Sequence, residues 1–414
     1  MLRCGLLGRT LAHSYSPALH ELLGGDSYTY RLFEVSPENL PAFLEGDDWD
    51  GLNVTIPYKQ AVIPFCKHLS PAARAIGSVN TIRRMEDGSL HGSNTDAVGF
   101  KHMIHRLGIS VKHKKVLVLG SGGSSRTVCH VLKEQNASDI IVISRNGPET
   151  YDNLSRHSDA QIIVNTTPVG MYPETEIAPV NLTLFPQLEG VLDLVYNPAR
   201  TRLLMDAKNQ GIPHIGGLPM LAGQAAEAAA MFSGKVISTQ ENQAACNLLR
   251  RKMENLILIG MPGAGKTTIG HLIAEQMGRP FIDTDQEIEQ AAGQTIPEIF
   301  RREGEAGFRE RETAILKKFG KESGLVIATG GGAPTQQENY FHLRQNGVIF
   351  FLERNLSLLA HEGRPLSQKG GLPEMYIQRR PLYQRFADAV IENKQDPQAA
   401  ANQALEVFYE ILTH

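Results

Sequence analysis

Two glycine-rich stretches in this chain have the spacing needed to hold phosphate. Between Asn255 and Glu275 the residues NLILIGMPGAGKTTIGHLIAE join a short apolar run, a turn matching GxxxxGK[ST] at Gly260, Gly265, Lys266 and Thr267, and helical periodicity. Backbone N–H groups close around a triphosphate only where side chains leave room, which accounts for Gly263 and Gly265, and the helix start adds partial positive charge. Lys266 is expected to reach the β- and γ-phosphates and Thr267 to offer its hydroxyl to Mg²⁺, with Ala264 and Thr268 completing the loop. The second stretch, KKVLVLGSGGSSRTVCHVLKE, has Gly120 and Gly122 in the first two places of a dinucleotide fingerprint and Ser125 in the third. Ser121, Gly123 and Ser124 fill the turn between them. After the next apolar run stands Arg145, where an NAD site would carry an acidic residue; a guanidinium there suits the 2′-phosphate of NADP.

Other polar residues follow probable strands near the start of the chain. Ser14 and Ser16 precede Pro17 at a helix entry, where two hydroxyls could face a carboxylate, although a serine before proline more often caps the helix. Thr55, Pro57 and Lys59 follow LNV, and Asn80, Asn94, Thr95 and Asp96 are read at the ends of further strands. Singly these are turn formers or solvated surface. Together they describe a concave site for a small polyhydroxylated molecule. Beyond the triphosphate loop, Asp283 and Asp285 mark a strand-to-helix turn. One of them is expected to cap the helix; one carboxylate could reach the Mg²⁺ shell and the other could take a proton from a substrate hydroxyl. Arg309, the run Gly330, Gly331 and Gly332, and Arg364, Arg379 and Arg380 complete the candidates.

The elements that must position these residues fit an α/β architecture. At 414 residues the chain is too long for one core and divides into about two or three domains. A net charge of −3 gives no footprint for nucleic acid. Cys4, Cys66, Cys129 and Cys246 form no CxxC pair, so neither zinc nor a disulfide framework is indicated and a reducing cytoplasm is expected. Apolar runs are too short for a bilayer, and the opening residues are broken by Arg9 and His13 before a signal-like stretch develops. A helix is predicted over Thr239–Lys252, opened by a Ser238/Glu241 capping box and running into the strand at Asn255, with a domain boundary near Met253.

HSYSP, NVTIPYK, GSVNTI and NTDAVGF, in this order and at these separations, resemble shikimate dehydrogenase. The resemblance implies that Ser14 and Ser16 hold the carboxylate of 3-dehydroshikimate or shikimate, that Thr55, Asn80, Asp96 and Gln224 hold its hydroxyls, and that Lys59 and Asp96 are the catalytic pair. It also implies that Leu194 and Gly217 lie near the nicotinamide and Tyr196 near the substrate. Ser144 and Glu149 stand where the family has Asn and a second Arg, so NADP is preferred over NAD with an incomplete fork.

FIDTD, EGEAGFRERE, ATGGG, RPL and RRPLY resemble shikimate kinase over Met253 to His414. By that resemblance Asp285 binds the shikimate hydroxyls and serves as base, Arg309 and Arg379 grip the carboxylate, Gly331 lines the pocket, and Arg364 closes over the phosphates. Thr267 and Asp283 would hold the metal. The chain between VIFFLER and GRPL is shorter than the family's, and an arginine for the adenine is not evident in it. The expected organisation is a substrate domain at 1–97 with 222–252, a Rossmann-like NADP domain at 98–221, and a P-loop kinase domain with a central parallel sheet at 253–414. The expected function is bifunctional: NADPH-dependent reduction of 3-dehydroshikimate, then ATP-dependent phosphorylation of shikimate, by a monomer or homodimer without nucleic-acid or membrane partners. The alternatives are a quinate or shikimate dehydrogenase joined to another small-molecule kinase, and a non-catalytic regulatory protein; the second predicts loss of Lys59, Asp96, Lys266 or Asp285, all of which are present.

Overall fold

Sixteen strands among the described residues fall into three sheets, each assembled from segments close in sequence. The computed structural model describes residues 1–11, 14–359, 371–394 and 396–413. Arg364 lies outside the described residues. By packing, the chain divides into one unit of Met1–Tyr196 with Leu203–Leu249 and a second of Asn197–Arg202 with Arg250–His414. The helix Thr239–Met253 spans that division and carries the expected capping box, Glu241 accepting from Ser238 N at 2.7 Å and its own N–H donating back to Ser238 Oγ at 3.2 Å. The four cysteines form no disulfide, and no helix among the described residues is long and apolar enough to cross a membrane.

In the first unit β1 (Leu2–Gly8), β2 (Tyr28–Glu34), β3 (Gly51–Val54), β4 (His68–Leu69), β5 (Thr81–Arg84) and β6 (Leu90–Ser93) form a mixed sheet of order β2-β1-β3-β5-β6-β4. β1 runs parallel to β2 and β3, while β5 is antiparallel to both β3 and β6. Asn80 therefore stands before β5 and not at the end of a strand as the sequence reading has it. Because β5 is reversed, its first residue Thr81 faces Asn53 of β3 and Ser93 of β6, so Asn80 still reaches the edge where β1, β3 and β6 end.

The second sheet, β7 (Lys115–Leu119), β8 (Asp139–Ile143), β9 (Ile162–Asn165), β10 (Gly190–Asp193) and β11 (His214–Ile215), is wholly parallel in the order β11-β10-β9-β7-β8. β9 and β10 are buried at every position, as expected of parallel strands covered on both faces. A shared core joins the two sheets' helices: Phe100 and Met103 of Asp96–Leu107 pack with Val128 and Val131 of Gly123–Glu134 and with Met220 of Leu218–Ser233.

The second unit holds a parallel sheet of order β13-β14-β12-β15-β16, from β12 (Asn255–Ile259), β13 (Phe281–Asp283), β14 (Val326–Ala328), β15 (Gly347–Glu353) and β16 (Ala389–Glu392). β12 is central and fully buried. Each of its leucines and isoleucines contributes about 1.5–3 kcal/mol through loss of apolar surface to water.

Candidate active sites

In the first unit Lys59 lies in the turn after β3, and Asp96 is the first residue of the helix Asp96–Leu107. Lys59 Nζ donates to Asp96 Oδ2 at 2.7 Å. The carboxylate is mostly buried, with 12% of its side chain exposed, and the ammonium keeps 29%, so the cation faces the open side. A helix N-terminus favours the carboxylate, which in turn orients the ammonium.

One residue before Asp96, Thr95 is tied to Asn80, whose Oδ1 accepts from Thr95 N at 2.7 Å and whose Nδ2 donates to Thr95 Oγ1 at 3.1 Å. The same Nδ2 donates to Gln224 Oε1 at 3.1 Å. Gln224 reaches this place because two helices cross closely: a Cβ on Gly99 would lie 2.4 Å from Met220 O, and one on Gly223 would lie 3.2 Å from Gly99 Cα. Lys59, Asp96, Asn80 and Gln224 are thus brought together, with Thr95 as an anchor.

Ser16 opens the helix Ser16–Gly24 with Pro17 behind it, and no side chain caps that helix. Ser14 Oγ instead accepts from Ser16 N at 3.2 Å. The more common N-cap role is not taken, and the Ser16 hydroxyl contacts Tyr30. Tyr15, between the two serines, meets Tyr196 edge-on with ring centroids 6.2 Å apart, which links this helix entry to the end of β10. Burial pushes the Tyr196 phenol pKa up. Thr55 is fixed by its backbone, its N–H donating to Leu7 O at 2.9 Å.

The dinucleotide turn follows β7. Gly120 has φ 103° and its Cβ would lie 2.9 Å from Thr166 Oγ1, so only glycine fits there. Gly122 is the N-cap of Gly123–Glu134 without a side-chain cap, and a Cβ on Gly122 or Gly123 would meet nothing within 4 Å. Open space over uncapped N–H groups is what a pyrophosphate needs, so this loop fits NADP. Leu194 and Gly217 are adjacent, since a Cβ on Gly217 would collide with Leu194 O. Gln60, with its amide oxygen turned to the guanidinium, accepts from Arg126 of the following helix at 2.6 and 2.9 Å, which connects the residue beside Lys59 to the dinucleotide lobe. Arg145 is exposed and Ser144 half-buried after β8. Glu149 turns to His157 Nε2 at 3.1 Å.

In the second unit the glycine-rich turn joins β12 to the helix Lys266–Met277. Gly260, Gly263 and Gly265 all have positive φ, at 146°, 81° and 99°. Lys266 Nζ donates to Gly260 O and Met261 O, both at 3.0 Å. Thr267 Oγ1 donates to Asp283 Oδ2 at 2.7 Å. Of the two aspartates, one of which is expected to cap the helix, Asp283 is the N-cap of Thr284–Ala292, its Oδ1 accepting from Asp285 N at 3.0 Å and Gln286 N at 3.4 Å. One carboxylate therefore caps a helix and meets the loop threonine, an all-oxygen pair that fits a hard divalent cation such as Mg²⁺.

A cavity of about 480 Å³ runs from Thr267 and Thr268 past Asp285 to Arg309 and Arg379. Arg309, 6% exposed, donates to Glu312 Oε2 at 2.6 Å and to Glu305 Oε1 at 3.1 Å. Burial would lower the Arg309 pKa, and these two carboxylates hold it above its usual value. Burial pushes the Glu312 carboxyl up, Arg309 opposes that, and Asp285 adds to it. A Cβ on Gly330 would stand 2.5 Å from Glu312 Oε1 and 2.7 Å from Asp285 Oδ1, so a glycine is required between the two acids. Gly331 O accepts from Arg379 Nη1 at 3.2 Å and from Tyr383 Oη at 2.6 Å, and burial pushes the Tyr383 phenol up to about 12. Stacked Phe300 and Phe308, centroids 4.7 Å apart, line the same cavity. Arg380 turns away to Glu353.

Sequence reasoning singled out neither Glu312 nor Tyr383. Their signal is helical spacing, three residues after Arg309 and four after Arg379, which puts each on the same face as its arginine. Breaking a buried ion pair costs about 3–5 kcal/mol. Glu312→Ala is therefore expected to lower the urea midpoint at which the second unit unfolds, read by pulse proteolysis of that unit, while the midpoint for the first unit stays at its wild-type value.

Comparison with known proteins gives two family matches: a shikimate dehydrogenase substrate-binding domain at residues 6–82 and shikimate kinase at residues 262–409. A relative from Clostridium beijerinckii described as shikimate dehydrogenase (NADP(+)) is 38% identical over 242 residues, which is 54% of this chain and 89% of the relative. Among solved structures, a chorismate mutase/shikimate 5-dehydrogenase fusion protein from Clostridium acetobutylicum is similar with a TM-score of 0.57 at 34% identity, covering 60% of this chain and 97% of that one. Shikimate 5-dehydrogenase from Thermus thermophilus, in complex with NADP(H) and shikimate, is similar with a TM-score of 0.54 at 34% identity, covering 60% of this chain and 99% of that one.

Proposed function

The chain belongs to the shikimate dehydrogenase family in its N-terminal part and carries a shikimate kinase domain after it, and from that premise we propose how its residues divide two consecutive reactions. It is a bifunctional shikimate-pathway enzyme that uses NADP(H) and ATP. Residues 1–97 with 222–252 hold the substrate of the reductase, residues 98–221 hold NADP, and residues 253–414 form the kinase. One observation carries the reading: a cation ion-paired to a carboxylate in the first turn of a helix, Lys59 with Asp96 at 2.7 Å, stands among the hydroxyl-binding groups Asn80 and Gln224.

Reduction of 3-dehydroshikimate begins with the ring held by Ser14 and Ser16 at its carboxylate and by Thr55, Asn80, Asp96 and Gln224 at its hydroxyls. NADPH, when bound on the Gly120–Ser124 turn with Leu194 and Gly217 beside its ring, supplies the hydride. As negative charge builds on the ketone oxygen, Lys59 stabilises it and delivers a proton, and Asp96 keeps the ammonium aimed. Tyr196 covers the substrate from the end of β10. Ser144 and Arg145 receive the 2′-phosphate. A charge-assisted hydrogen bond is worth about 1.5–3 kcal/mol, so Arg145→Ala should raise KM for NADPH by about 10- to 100-fold and leave KM for NADH within about twofold, read by initial rates with each cofactor.

The kinase reaction takes the shikimate so made. Arg309 and Arg379 grip the carboxylate as planar forks, Gly331 and Asp285 bind the ring hydroxyls, and Asp285 accepts the proton of the attacking hydroxyl. Gly263, Ala264, Gly265, Lys266, Thr267 and Thr268 cradle ATP, while Thr267 and Asp283 would hold Mg²⁺, which neutralises phosphate charge. The test is a paired assay on the intact protein: oxidation of NADPH with 3-dehydroshikimate, and release of ADP with shikimate. Both are expected; absence of either removes that half of the reading.

A further inference from the structure

One cation of the second unit has no part in the scheme above. Arg354 follows the last residue of β15 and lines the cavity beside Pro262, Gly263 and Lys266. Its Nη1 donates to Gly263 O at 3.3 Å. Its Nε is buried with no acceptor, and no carboxylate pairs with it among the described residues. Glu353, its chain neighbour, is already taken by Tyr376 at 2.5 Å and Arg380 at 2.9 Å.

The loop is fixed from the neighbouring strand as well. Asn393, next after β16 and 4% exposed, donates Nδ2 to Ala264 O at 2.8 Å. With Lys266 on Gly260 O and Met261 O, side-chain donors hold the carbonyls of Gly260, Met261, Gly263 and Ala264. Peptide units are planar and trans, so a carbonyl drawn toward Asn393 turns the N–H of Gly265 the other way, and Gly265 lines the cavity. Arg354 therefore sits where carbonyls are already restrained and amides are offered to an anion.

We propose that Arg354 is a nucleotide-binding residue of this chain, its guanidinium contacting the phosphates of the bound nucleoside polyphosphate. A half-buried guanidinium with no carboxylate partner among the described residues is costly in the free protein, and its rigid fork of donors matches phosphate oxygens better than an ammonium does. A polyphosphate seated on the Lys266 loop supplies the missing acceptors.

This inference rests on the ATP reading of the second unit for its ligand, and direct binding separates the two. In titration calorimetry of the intact protein with ADP and with AMP, Arg354→Ala is expected to weaken ADP at least tenfold and AMP clearly less, because fewer phosphate oxygens are lost. Arg354→Lys, which keeps the charge, should fall between wild type and the alanine variant; it also keeps the test decisive if the alanine variant folds poorly. ADP affinity within twofold of wild type in Arg354→Ala overturns the proposal, as does an equal loss for AMP and ADP. Failure of the wild type to bind ADP at all overturns the kinase reading and this one with it.

Discussion

Lys59→Ala is expected to slow NADPH-dependent reduction of 3-dehydroshikimate by about 10²- to 10⁴-fold, the range a positioned proton donor contributes, while ADP release with shikimate continues at the wild-type rate. The ammonium lies 2.7 Å from Asp96 and is the more exposed partner of that pair, so it is the group that can meet developing charge on a ketone. Substrate affinity should change by less than about tenfold, because Asn80 and Gln224 remain hydrogen-bonded to one another and hold the ring. Asp96→Asn tests the same assignment from the other side: the amide can still touch Lys59 but loses the charge-assisted hydrogen bond that aims it, so the rate should fall by less than in Lys59→Ala. Near wild-type reduction by the alanine variant would remove Lys59 from the mechanism.

Asp285→Asn is expected to lower the rate of ADP formation by about 10²- to 10⁴-fold, again the scale of general base catalysis, with shikimate binding changed little. Asparagine keeps the shape and can still hydrogen-bond a ring hydroxyl, but it cannot accept a proton. Asp285 is better placed for this than Glu312, which lines the same cavity. Glu312 is fully buried and committed to Arg309 at 2.6 Å, whereas Asp285 lies in the first turn of its helix and lines the cavity. Single-turnover measurement with saturating ATP separates the chemical step from binding. Unchanged single-turnover rates in Asp285→Asn would transfer the role of base to another group.

The residue sequence by itself determined the features that reside within a few contiguous positions. Both phosphate loops were legible because a strand, a positive-φ glycine turn and a helix start are backbone properties of about ten neighbouring residues. The Ser238/Glu241 capping box and the Asp283 cap were legible for the same reason. Gly122, Gly265 and Lys266 needed no distant partner to be found.

Tertiary structure decided what depends on strand order and helix crossing. Asn80 precedes its strand, and it reaches Gln224, 144 residues away, only because β5 runs backwards and because Gly99 and Gly223 let two helices touch. Glu312 was within the stretch EGEAGFRERE, yet its pairing with Arg309 and its place against Gly330 required a helix face buried beside the Gly330 turn. No motif in the sequence singled out Arg354 or Asn393, and only adjacency of β12, β15 and β16 turns them onto the same loop. A local pattern fixes the direction of a backbone, but which side chains share a dry pocket follows from long-range pairing, and hydrogen bonds between residues far apart in the chain leave no periodicity to read.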